Sequence, residues 1–497
     1  MFRILPLLLL LSSPLSVFSQ QSEKPLHVEN RKDPAPFGPL HFRNDSITIK
    51  GIYKNYRHAP GNLFKVTFMD WISSKIVHHT APIDPAGRFT LTLPLLAETD
   101  MAIDDSRFKE RTIAIPGETI YFEADLKDAS FRYSGANARL HNELHQFSRE
   151  YGKRNAPPYT YSEWFKQFNT LPVLRDTMRN ALRDNLRYLS TWQQQHRPEP
   201  RTMQYLRATM IYETAMPLTQ YLYFKEKAAL SPEEEAIHFR FLDSIIALNG
   251  NSGHLSENFI IVHRDFRNYS NGKARTLNLD KDSIYQTRIH HPREKEITEI
   301  WFAARYLKEG STLKDNQLAE LRTKVQDTVL LNNLIRRNNA LNALLSDDQM
   351  LASTRFYGQF PDLKTPEDIF AHITTPYRGK VIYLDLWGTW CSPCLEMMQY
   401  MPGIKKEYAD KDVVFLYLAI KSPEAAWQKT IREYKMTGPA VVHYRLPDDM
   451  QDAFEKKYRT TGYPSYFLID RNGKLISASA PWPRDPAALH AAINKLL

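Results

Sequence analysis

Three successive hydrophobic patterns predict a multidomain chain: an all-β sandwich over 42–135, an α-helical region over 136–355 and an α/β unit over 357–497. Apolar residues alternate at period two in the first stretch and recur at spacings of three and four in the second. In the third they fall into short β-rich runs separated by helical segments. The 497 residues leave room for all three at the usual domain size of roughly 100 to 200 residues.

Ahead of these units, Arg3 precedes an apolar run from Ile4 to Leu11, and Val17 and Ser19 occupy the small-residue positions before a cleavage point. This pattern predicts a secretory signal over 1–19, removed on export. The run is too short to span a bilayer, no cysteine stands at the cleavage point to take a lipid, and no later stretch is apolar enough to cross. With only two cysteines, the exported chain has no structural disulfide framework. The expected location is the bacterial periplasm. The formal charge of +9 is modest for this length, and its Lys and Arg are dispersed with no nucleic-acid motif. They read as a solvated surface, with attraction to an acidic partner or a membrane surface as the alternative.

In the β region Ile47, Ile49, Val66, Phe68, Phe89, Leu91, Leu93, Ile113, Ile115, Ile120 and Phe122 mark the alternation, with turns at 84–87 and 115–118. Short strands at such spacing suggest a sandwich. His78-His79 reads as a surface or edge pair rather than a metal site. In the helical region Leu174, Met178, Leu182, Leu186 and Leu189 mark one helix. Ser231-Pro232-Glu233-Glu234 is a capping box opening a second, whose apolar stripe is Ile237, Phe241, Ile245 and Leu248 up to a stop at Asn249-Gly250. Ile297, Ile300, Trp301, Ala304 and Leu307 mark a third, ended by Gly310. Tyr205, Tyr212, Tyr221, Tyr223 and Phe224 read as core, with a peptide-binding groove as the alternative. His290-His291 has no partners at ligand spacing and reads as structural.

The last unit reads as strand 380–387, helix 393–408, strand 413–420, helix 423–435, strand 440–444, helix 448–458, hairpin 465–478 and helix 486–496. That order implies a central sheet covered on both faces. Its first strand leads through Trp387 to Trp390 into Cys391-Ser392-Pro393-Cys394, which holds both cysteines of the chain. Cys391 therefore sits at a helix N-terminus. Unpaired N–H groups and the positive end of the helix dipole favour a thiolate there, below the free thiol value of about 8.5. Cys394, one turn on and turned inward, is placed to attack a mixed disulfide formed by Cys391. A zinc knuckle would need two further ligands at short spacing, and His443 stands alone. A purely structural disulfide would close so small a loop that it adds little stability. Redox exchange is the favoured reading, with no metal and no cofactor.

The segment WGTWCSPC resembles the active site of the TlpA/ResA-like thiol-disulfide oxidoreductases of the thioredoxin superfamily, and the resemblance covers Gln359 to Leu497. Phe360-Pro361-Asp362 is similar to the family's opening motif, Gly379-Lys380 precedes the first central strand as it does there, and Gly462-Tyr463-Pro464-Ser465 resembles the segment carrying the superfamily's cis-proline. The resemblance implies a C-terminal thioredoxin fold in which Cys391 attacks, Cys394 resolves, and the two form the redox-active disulfide. It places Asp385 where the superfamily has a buried carboxylate that accepts the proton of the second cysteine. It also sets Trp390, Tyr463 and cis-Pro464 at the substrate cleft, with the backbone of Tyr463 able to pair with an extended segment. One departure is Met397, where the family commonly has glutamate. Glu396 lies one position earlier, about 100° around the helix, and is expected to face solvent.

The sequence thus predicts a periplasmic thiol-disulfide oxidoreductase acting on exported proteins with disulfides or thiols. Ser392-Pro393 supplies no cation or imidazole between the cysteines, and Asp385 adds negative charge, so a reductant or isomerase is expected rather than an oxidant. Such a protein in an oxidising compartment needs a membrane electron donor. A peroxiredoxin is disfavoured because no Pro-x-x-x-Thr-x-x-Cys pattern precedes Cys391. The rival class is a substrate-binding or chaperone-like exported protein with an accessory thiol domain.

Overall fold

The computed structural model describes residues 33–58, 62–104, 109–152, 170–224, 230–280, 283–286, 292–357, 360–361, 363 and 365–497. The signal expected over 1–19, Asp362 and His290-His291 lie outside the described residues. None of the described helices is long and apolar enough to cross a membrane.

The first part carries eight strands among the described residues: β1 (Asp45–Lys54), β2 (Leu63–Asp70), β3 (Lys75–Pro82), β4 (Arg88–Leu95), β5 (Thr99–Asp104), β6 (Lys109–Ala114), β7 (Thr119–Asp125) and β8 (Phe131–Ser134). They form two four-stranded sheets, ordered β4-β1-β7-β8 and β3-β2-β5-β6. The period-two pattern sends Ile47, Ile49, Phe89, Leu91, Leu93, Ile120 and Phe122 of one sheet and Phe64, Val66, Phe68 and Ile103 of the other into one shared core. The turn expected at 84–87 closes with Gly87 donating to the Asp84 carbonyl, and Gly87 takes a left-handed φ of 80° that glycine adopts without strain.

Helices follow: α1 (Ala138–Gly152), α2 (Leu171–His196), α3 (Pro200–Phe224), α4 (Pro232–Ala247), α5 (Asn258–Thr276), α6 (Ser283–Gln286), α7 (Pro292–Lys308), α8 (Asp315–Lys324) and α9 (Thr328–Leu345). The capping box forms at α4 as expected, Ser231 accepting from the Glu234 N–H and the Glu234 carboxylate from the Ser231 N–H. The buried face of α4 matches the expected one only in part, at Ile245 and the half-buried Phe241. Glu235, His238, Phe239, Leu242 and Ile245 point inward, whereas Ile237 is 40% and Leu248 45% exposed. Glu235 is drawn in by α5, where Tyr269 Oη and Lys273 Nζ both donate to its carboxylate.

The strands and helices also share a core, in which Phe42, Trp71, Ile72 and Ala97 pack with Ile211, Phe259, Ile300 and Trp301. Trp301 Nε1 donates to the Trp71 carbonyl at 2.8 Å, and Arg337 grips Asp70 with two bonds of 2.6 and 2.8 Å. This paired fork anchors α9 to the end of β2.

The C-terminal unit is a six-stranded sheet of β9 (Arg355–Tyr357), β10 (Val381–Trp387), β11 (Val413–Ala419), β12 (Val441–Arg445), β13 (Ser465–Ile469) and β14 (Leu475–Ser477), ordered β14-β13-β10-β11-β12-β9. The central strands β10, β11 and β12 run parallel, and β13 antiparallel to β10. Alternation along β10 sends Val381, Tyr383 and Trp387 to one face and Ile382, Leu384 and Leu386 to the other. The second face is covered by α10 (Pro366–Thr374) and α14 (Gln451–Tyr458). The first is covered by α11 (Ser392–Met398), α12 (Met401–Glu407), α13 (Glu424–Glu433) and α15 (Pro486–Asn494). Strand β9 and helix α10 were not expected. The single helix expected over 393–408 is two, because Pro402 has no N–H to continue the ladder. The Gln399 and Tyr400 amides turn back to the carbonyls of Glu396 and Met397 instead.

Candidate active site

The strand-to-helix junction builds the site. Trp387 ends β10 fully buried, and the Ile420 N–H donates to its carbonyl at 2.9 Å. Gly388 follows, where a Cβ would come within 2.5 Å of Trp390 Nε1, so only glycine lets the Trp390 indole lie back over the turn. That indole donates to the Ile420 carbonyl at 3.4 Å, yet the residue stays 49% exposed. Ser422 secures the turn by accepting from the Thr389 N–H at 3.0 Å while donating to the Ile420 carbonyl at 2.7 Å.

Cys391 is the N-cap of α11, its sulfur accepting from the Cys394 N–H at 3.2 Å, and the two cysteines are joined as a disulfide with Cα atoms 5.3 Å apart. The amide stabilises negative charge on Cys391 Sγ once the bond is opened. Both cysteines are buried, Cys391 at 4% exposure and Cys394 at 0%, so the first is the nearer of the two to solvent.

Tyr463-Pro464 is a cis peptide bond immediately before β13. The register of β13 sets Ser465 against Leu386, which carries Pro464 to the carboxyl end of β10, beside the cysteine turn. The Tyr463 ring meets Trp390 edge-on at 5.4 Å, and its hydroxyl donates to Glu455. The structure thus brings Trp390, Tyr463, Pro464 and the cysteines to one end of the sheet.

Asp385 lies on the same inward face of β10 as Tyr383 and Trp387, buried, with its Oδ1 unpartnered. Removal from water pushes its carboxyl well above the ordinary range. Its register partners are Tyr417 on β11 and Tyr466 on β13, which the sequence reading did not single out. Met397 is buried and Glu396 turns outward to Lys65 of β2 at 3.4 Å, bringing the first β-sheet region to the helix that carries the cysteines.

His443 is core. Its Nε2 donates to the Met436 carbonyl at 2.6 Å, its ring stacks between Phe356 and Tyr417, and burial pushes it down to about 3. No group of three His, Cys, Asp or Glu side chains among the described residues could hold a metal ion. His79 stacks on Phe68 at 5.2 Å, and His78 is exposed on the edge strand β3. Of the aromatic set in α3, Tyr205, Tyr212 and Tyr221 are buried, and the Tyr205 hydroxyl donates to Asp100 at 2.8 Å. The side chains of Tyr223 and Phe224 lie outside the described set. Tyr212 borders a cavity of about 350 Å³ that also meets Leu40, Phe239, Phe259 and His263.

Residues 358–490 match the Redoxin family. A thiol-disulfide oxidoreductase ResA of Geobacillus thermodenitrificans is 36% identical over 104 residues, which is 21% of this chain and 56% of that protein. A ResA of Geobacillus kaustophilus is 34% identical over 114 residues, or 23% and 60%. Among solved structures, a thiol:disulfide interchange protein from a Bacteroides species is 22% identical, covers 24% of this chain and 76% of that one, and gives a TM-score of 0.22. The chain therefore spans a little over half the length of these ResA relatives.

Proposed function

Because the C-terminal domain of this chain is a TlpA/ResA-like domain of the thioredoxin superfamily, we propose that the protein is a periplasmic thiol-disulfide oxidoreductase that reduces or isomerises disulfides of exported proteins. One observation carries the reading. The chain's only two cysteines share one disulfide at a helix start, with the first residue slightly exposed and the second fully buried. Cys391 attacks a substrate disulfide as the thiolate and Cys394 resolves the mixed disulfide. Asp385, which burial holds protonated well above the ordinary carboxylate range, serves as the proton acceptor for Cys394 once it ionises. Trp390, Tyr463 and Pro464 form the wall against which an extended substrate lies, with the Tyr463 backbone as its pairing strand.

Residues 1–19 act as the export signal, and a membrane donor returns electrons to Cys391-Cys394. The two sheets over 42–135 form a β-sandwich module. The Lys65–Glu396 contact sets that module against the helix that carries the cysteines.

Trapping tests the reading: in cells, Cys394→Ser should accumulate mixed disulfides with exported proteins and Cys391→Ser should capture none. Capture by Cys391→Ser but not by Cys394→Ser on non-reducing gels would reverse the roles. No capture by either would remove the oxidoreductase reading.

A further inference from the structure

Asp385 belongs to a row that crosses one face of the sheet, Tyr466–Asp385–Tyr417–His443–Phe356, each residue the register partner of the next. Four polar atoms in this row, Asp385 Oδ1, Tyr417 Oη, Tyr466 Oη and His443 Nδ1, are buried and have no hydrogen-bond partner. Leaving such atoms unpaired is costly, and the three oxygens, on the adjacent strands β13, β10 and β11, call for a joint explanation. A third tyrosine on this face, Tyr383, is already committed, donating to the Pro481 carbonyl at 2.8 Å. The two uncommitted rings are held in place by stacking: Tyr466 on Tyr383 at 5.2 Å and 7°, Tyr417 on His443 at 5.0 Å and 14°.

We propose that Tyr417 and Tyr466 are positioning residues for proton transfer at Asp385, their hydroxyls closing on its carboxylate, directly or through internal water, when it ionises. This rests on the reading of Asp385 as the base for Cys394. In the resolving step the Asp385 carboxylate takes the proton from Cys394 Sγ. The sulfur electron pair forms the bond to Cys391 Sγ, the bond between Cys391 and the substrate sulfur breaks, and its electron pair leaves on the substrate thiolate.

An isolated carboxylate in this core would ionise only at high pH. Two phenolic donors favour the charged form and bring it into the range where it can accept a proton. Burial raises both phenols well above their ordinary range, so they remain donors throughout. Of the other titratable groups, Tyr383 on the same strand interacts with Asp385, and the Cys391–Cys394 pair of α11 packs in the same cluster as Tyr383, Tyr417 and Tyr466. His443, one strand further, is neutral, and Lys405 of α12 acts on that histidine.

The test uses the full-length reduced chain and a coloured aryl disulfide, dithiobis(nitrobenzoate), in stopped flow. Attack by Cys391 releases one coloured thiol and resolution by Cys394 the second, with Cys394→Ser isolating the first phase. Tyr417→Phe and Tyr466→Phe keep the stacked rings and remove only the hydroxyls. Each is expected to raise the pH midpoint of the second phase by about one unit, about tenfold in rate on the rising limb. The first phase should not change, and Tyr383→Phe should shift neither. Unshifted midpoints in both variants, while Asp385→Asn abolishes the transition, would overturn the role of the tyrosines and leave Asp385 as base. An equal shift in Tyr383→Phe would overturn it as a general packing effect. A transition that survives Asp385→Asn would remove the base and this proposal together.

Discussion

Replacing Asp385 by asparagine should make the folded C-terminal domain more stable relative to the native chain as pH rises. The carboxyl is buried in the sheet's core, and its ordinary value of 3.8 is raised well upward by desolvation. Below 3.8 the group is protonated in folded and unfolded chains alike and contributes no pH dependence. Above it, the unfolded chain ionises while the folded one does not, so stability falls by about 1.4 kcal/mol per pH unit until the folded carboxyl also ionises. Asparagine has the same shape and no titration, so any constant cost of burying its amide leaves this slope untouched. A chain of several parts does not unfold in one step, so amide hydrogen exchange of the β10 strand in the oxidised full-length protein is the suitable measure. At each pH the native chain is compared with Asp385→Asn, which cancels the intrinsic exchange rate. The ratio of native to variant exchange rates should grow about tenfold per unit between roughly pH 4.5 and 5.5. A constant ratio across that interval would mean that Asp385 titrates near its ordinary value, and the buried-carboxyl reasoning would be wrong.

Equilibration of the full chain with glutathione buffers should give a midpoint nearer the roughly −270 mV of thioredoxin than the roughly −120 mV of DsbA. The basis is that one helix start favours the Cys391 thiolate with no cation between the cysteines, and a midpoint above about −160 mV would make the protein an oxidant. Gly388→Ala should expel Trp390 from the turn, because the added Cβ would meet the indole at 2.5 to 3.1 Å. Acrylamide quenching of tryptophan should rise and disulfide exchange slow severalfold, and an unchanged quenching constant would contradict the packing argument. Gly310→Ala should separate the helical region from the C-terminal domain. Its Cβ would fall 2.1 Å from the Ala425 carbonyl oxygen at a left-handed φ of 79°, a clash plus backbone strain of about 1 to 3 kcal/mol. Limited proteolysis between the two regions should accelerate, and an unaltered digestion pattern would count against a rigid junction there.

The placement of the candidate site was legible in the sequence because it rests on near neighbours. A strand, a four-residue turn and Cys-x-x-Cys at a helix start place Cys391, Cys394 and Trp390 without help from elsewhere in the chain. The capping box at Ser231 and the alternation of Phe89, Leu91 and Leu93 were equally local, and both formed as expected. What covers an apolar face is not local. The stripe along α4 holds at Ile245 and Phe241 but not at Ile237 and Leu248, while Glu235 is drawn inward by Tyr269 and Lys273, more than thirty residues away in another helix. Residues 42–135 and 136–355 looked separate by periodicity, yet Trp71 and Trp301 share one core, joined by a bond between residues 230 apart. The partners of Asp385 depended most on the fold. Tyr417 and Tyr466 lie 32 and 81 residues beyond it and become its neighbours only through the pairing of β10 with β11 and β13. Periodicity tells which side of a strand is buried. Register between strands, which depends on the packing of the whole sheet, decides which side chain the buried carboxyl meets.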